Sequence, residues 1–133
     1  AKGIFIKGFL SEANVGGEKY INTIYTLSLD GINLCFLGAL TDKNIGAETK
    51  EAIEGADIIF VPAGLVIPPR DAYNLASSLD PKIIIPVDWD AATLKVFLKE
   101  GGSEDAEVLD KYTVKRKDVE GKEGEIVVLE SQK

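Results

Sequence analysis

Apolar residues recur through 3–10 and 21–29, and both stretches read as strands. Gly16-Gly17 between them reads as a turn, and Asp30-Gly31 predicts a tight hairpin into the next strand, 32–37, which Gly38 ends. Asn44 is placed to cap a short helix running to about residue 54, with Gly55 as its stop. Residues 57–62 form the next expected strand. Pro68-Pro69 then opens a helix, because proline is tolerated in the first turn, and Ala72, Leu75, Ala76 and Leu79 give it one apolar stripe. A strand over 82–86 follows. Asp90 caps a third helix with Leu94, Phe97 and Leu98 on one face, and Gly101-Gly102 ends it. Two last strands, 112–116 and 125–129, flank a polar turn at 120–124.

This order, strands first, then helix–strand alternation, then a terminal strand pair, predicts an α/β domain with a mixed sheet and helices on one face. The runs 58–61 and 83–85 are apolar at every position, a pattern of strands covered on both faces. Three helices supply about one covering layer, so something else is expected on the second face. No repeat, linker or low-complexity tract divides the chain, and residues 1–133 are expected to form a single domain.

Composition narrows the function classes. The chain is 45% hydrophobic, which suits a folded core. No apolar run approaches the roughly 18 residues that span a bilayer, and the strand-like N-terminus lacks the pattern of a signal peptide. A cytoplasmic location is the expectation. The formal charge of −7 opposes binding to nucleic acid or an anionic membrane. The densest basic stretch, Lys111-Tyr112-Thr113-Val114-Lys115-Arg116-Lys117, alternates like the solvated face of a strand. The single cysteine, Cys35, lies in an apolar run and reads as a core thiol, since the chain has no histidine to activate it.

Four stretches carry a resemblance. They are Lys2-Gly3-Ile4-Phe5-Ile6-Lys7-Gly8; Asn22-Thr23-Ile24-Tyr25 followed by Leu34-Cys35-Phe36-Leu37-Gly38; Asp57-Ile58-Ile59-Phe60-Val61-Pro62; and Pro81-Lys82-Ile83-Ile84-Ile85-Pro86 leading into Val87-Asp88-Trp89. In order and spacing the chain resembles the C-terminal half of metal-dependent hydrolases of the metallo-β-lactamase fold. The resemblance implies half of an α/β/β/α sandwich and a metal site at the strand ends. It places that family's ligands at Glu12 (a histidine in the family), at Ala39 (the aspartate of a Gly-Asp motif) and at Asp88 (the histidine of a Met-His-aromatic segment).

The departures from the family set the functional expectation. The sequence contains no histidine at all, and no His-x-His-x-Asp-His segment. Zinc sites are built from imidazole, thiolate and carboxylate ligands, and Ala39 ligates nothing. Glu12 and Asp88 are oxygen donors of the kind magnesium or calcium accepts, but Asp88-Trp89-Asp90 also reads as a solvated strand end leading into a helix cap. Trp89 reads as a rim or interface aromatic. Gly16-Gly17 opens no helix and so cradles no phosphate, Pro68-Pro69 removes amide donors after the strand at 57–62, and Tyr20, Tyr25, Tyr73 and Tyr112 read as packing residues. The three ligand positions are therefore expected to be vestigial, with no catalytic residue, no metal and no cofactor.

The leading expectation is a metal-free pseudoenzyme that forms a homodimer through its open sheet face, a twofold axis replacing the family's internal pseudo-twofold. The rival expectation is a subunit or fragment of a metal-dependent hydrolase whose histidine-bearing half is on another chain or has been removed.

Overall fold

The computed structural model describes residues 5–15, 18–29, 31–37, 47–63, 67–104, 106, 108–109 and 116–129. In chain order the elements are β1 (Phe5–Val15), β2 (Glu18–Leu29), β3 (Ile32–Phe36), α1 (Ala47–Ile53), β4 (Ile58–Pro62), α2 (Pro69–Ser78), β5 (Ile83–Val87), α3 (Ala91–Glu100), β6 (Val108–Leu109), α4 (Arg116–Val119), β7 (Glu125–Ile126) and β8 (Val128–Leu129). Six strands form one sheet in the order β1-β2-β3-β4-β5-β7. The β1–β2 and β2–β3 pairs are antiparallel; β3–β4, β4–β5 and β5–β7 are parallel. This is the mixed α/β sheet that the pattern of the sequence predicts.

Register sorts the side chains onto two faces, because neighbours across a ladder share a side and successive residues alternate. One face carries Ile24, Cys35, Ile59, Ile84 and Ile126. It packs into a single buried cluster with Ile53 of α1, Ala72, Leu75 and Ala76 of α2, and Leu94, Phe97 and Leu98 of α3. The stripes expected on α2 and α3 are the buried residues of those helices. The opposite face carries Ile32, Ile58, Ile83 and Ile85, which form a second cluster with Val119 and Val127. Runs such as β4 and β5 are apolar throughout because both of their faces are buried.

The second face corrects the sequence reading in one respect. Residues 125–129 were expected to be one strand paired with 112–116. Instead β7 adds to β5, while β8 leaves the main sheet and pairs in parallel with β6. Residues 112–115 lie outside the described residues, and Arg116 starts the short helix α4. Val119 of α4 is buried against the second face, with Leu109 and Leu129 packed at its margin. The face is therefore not free of helix: the chain's own C-terminal segment covers the β4–β5 part of it. One turn of helix, such as α4, is too short to show a period.

Element ends follow local chemistry. Gly31 and Gly55 have φ of 77° and 86°, the left-handed backbone that glycine adopts without a Cβ clash. The expected cap Asn44 and the turn Gly16-Gly17 lie outside the described residues. Asp90 caps α3 as expected: its carboxylate accepts from the Thr93 N–H at 2.8 Å, and the Thr93 hydroxyl reaches back to the Asp90 N–H at 2.9 Å. The Thr93 backbone bond holds the Asp90 carboxyl below its ordinary pKa. The cap's contribution is thus present above the unfolded carboxylate pKa and lost as pH falls through the depressed folded value. Asp90→Ala is expected to lower the melting temperature by a few degrees at neutral pH. Asp90→Asn should retain most of the cap while flattening the acid limb of a melting-temperature–pH curve.

Candidate functional site

The parallel strands β3, β4 and β5 point their carboxyl ends to the same edge of the sheet, and β1, antiparallel to β2, points the same way. In open α/β sheets this edge is where ligands bind. Tyr25, Phe36, Phe60 and Ile85 form one register row, which Gly8 continues on β1. Measured from that row, Glu12 is four residues along β1 and Asp88 three residues beyond Ile85. Ala39 lies outside the described residues; in sequence it stands three residues after Phe36. The topology so brings Glu12 and Asp88 to one edge but does not make them neighbours. Three strands separate β1 from β5, and four ladder spacings amount to about 19 Å along the sheet.

Asp88 is exposed and has φ of 51°. Aspartate is among the few side chains that enter the left-handed region at small cost. The residue turns the chain from β5 into the Asp90 cap, which is the bland role that its spacing before α3 allowed. Asp80, with φ of 54°, makes the same kind of turn after α2, where its N–H bonds to the Ser77 carbonyl at 3.0 Å. The conformation at Asp88 therefore has a local cause and needs no ligand to explain it.

Trp89 is half-buried and packs against the helix-side cluster rather than standing free at a rim. Its indole Nε1–H donates to the Pro86 carbonyl at 3.2 Å, so the polar end of the ring is satisfied by the strand that precedes it. Among the described residues, no three His, Cys, Asp or Glu side chains form a group that could hold a metal ion. The donor set does not fit zinc: imidazole is missing from the whole sequence, and alanine stands at one of the three positions.

Two further features were not read from the sequence. At the other end of the strands, Asp57 ties three strands together. Its carboxylate accepts from the Asn33 N–H at 2.8 Å, and its carbonyl accepts from the N–H groups of Lys82 and Ile83, each at 2.9 Å. A single aspartate heading an apolar strand was the available signal. A cleft of about 380 Å³ opens at this same end, where Tyr73, Ser77, Lys82 and Lys122 meet Asp80 and Glu123. Its cationic and anionic groups are equal in number, and Lys122 is engaged by Glu125 at 2.9 Å.

A family model described as the beta-lactamase superfamily domain matches residues 1–88. Among solved structures, a protein from Thermotoga maritima assigned as a Zn-dependent hydrolase of the metallo-β-lactamase superfamily is similar over 98% of this chain, with 26% identity and a TM-score of 0.70. A protein from Parabacteroides distasonis assigned as a metal-dependent hydrolase is similar over 74% of this chain, at 22% identity and a TM-score of 0.54. The chain spans 66% of the length of the first and 48% of the second. No curated protein matches it.

Proposed function

Because the chain belongs to the β-lactamase superfamily, we propose that it is a non-catalytic member, one that keeps the fold of a metal-dependent hydrolase without the metal chemistry and that self-associates through the sheet face opposite α1, α2 and α3. The observation that carries this reading is the residue content of the strand-end edge. Glu12, Ala39 and Asp88 stand where the resemblance places metal ligands, in a chain with no histidine. Hydrolysis of this type depends on a metal ion to make a nucleophile from water near neutral pH. Glu12 and Asp88 alone, on strands far apart in the sheet, do not assemble the three or four donors that hold such an ion.

A second reading is favoured by one observation: the chain spans only 66% of the Thermotoga protein. In that reading a separate chain bearing the histidines docks here and supplies the metal. Ala39 counts against it, because the ligand lost at that position belongs to this part of the fold.

Native mass measured together with metal content separates the two. A homodimer carrying far less than one equivalent of zinc, iron or manganese per chain is the expected result. About one transition-metal ion per chain, or metal-dependent phosphoesterase turnover abolished by Asp88→Ala, would overturn the non-catalytic reading. The variant carrying Ala39→Asp and Asp88→His should remain inactive, because the family's first-half ligands are absent from this sequence.

A further inference from the structure

We draw no further inference here: the strongest candidate, the cleft of about 380 Å³ that Tyr73, Ser77, Asp80, Lys82, Lys122 and Glu123 line at the amino ends of β5 and β7, carries nothing, because its ammonium and carboxylate groups balance and so select no class of ligand, and among the described residues no buried polar side-chain atom is left without a hydrogen-bond partner to point into it.

Discussion

Phe97→Ala is expected to destabilise the chain by about 3–5 kcal/mol, the range for deleting a fully buried aromatic side chain. Phe97 has no exposed surface and lies at the centre of the cluster that joins α2, α3 and the sheet. Its ring meets that of Tyr73 edge to face, with centroids 5.7 Å apart and planes at 80°. The cavity it leaves has little means of closing. Just beyond α3, a Cβ built on Gly101 would fall 2.4 Å from Ile126 and 2.8 Å from Tyr73, so the end of the helix already stands against the sheet and α2. Natural domains have about 5–15 kcal/mol in total, so this one change removes a large share. Urea unfolding measures it: the midpoint should fall sharply while the slope stays near that of the wild type. A loss below about 1 kcal/mol would mean that α3 is not docked as described, and with it the Asp88–Asp90 turn would lose its anchor.

The parts of this fold legible in the sequence are those where a local rule has one solution. Asp90 followed by Thr93 and an apolar stripe allows little but a capped helix, and the capping box is present. Pro68-Pro69 before Ala72, Leu75, Ala76 and Leu79 left α2 equally little choice. The parallel strands β4 and β5 were marked by unbroken apolar runs, because both faces of each are covered. The C-terminal segment resisted reading for the opposite reason. Its strands are two residues long and α4 a single turn, so none has a period, and their placement is decided by the apolar face they cover.

Of the candidate site, the identity of the side chains was legible in the sequence. Chemical identity alone, with no coordinates, shows that the side chain of Ala39 has no donor atom and that the chain has no imidazole. What the sequence could not supply was distance. Glu12 and Asp88 share an edge in the finished sheet, yet the number of strands between them follows from the order β1-β2-β3-β4-β5, which long-range pairing fixes. The exposure of Tyr25 and Leu29 was hidden for a related reason. An alternating strand shows which residues share a face, but not which end of that face the rest of the chain will cover.

Cys35 is expected to react with a thiol reagent at pH 8 about a thousandfold more slowly in the folded chain than in the urea-unfolded one. The thiolate is the reacting species, and burial pushes the Cys35 thiol from 9.0 up to about 12. Three pKa units remove about a thousandfold of the thiolate present in the unfolded chain. The side chain also has no exposed surface, which adds a steric barrier in the same direction. The proton linkage has a definite sign. The folded state holds its proton between pH 9 and about 12 where the unfolded state has released it, so this contribution to stability is full below pH 9 and is lost as pH rises toward 12. Cys35→Ser should therefore soften the alkaline limb of the stability curve, while costing some stability at neutral pH through a buried hydroxyl. Labelling within tenfold of the unfolded rate would show an accessible, activated thiol and would reopen nucleophilic chemistry on a chain whose sequence offers no histidine to drive it.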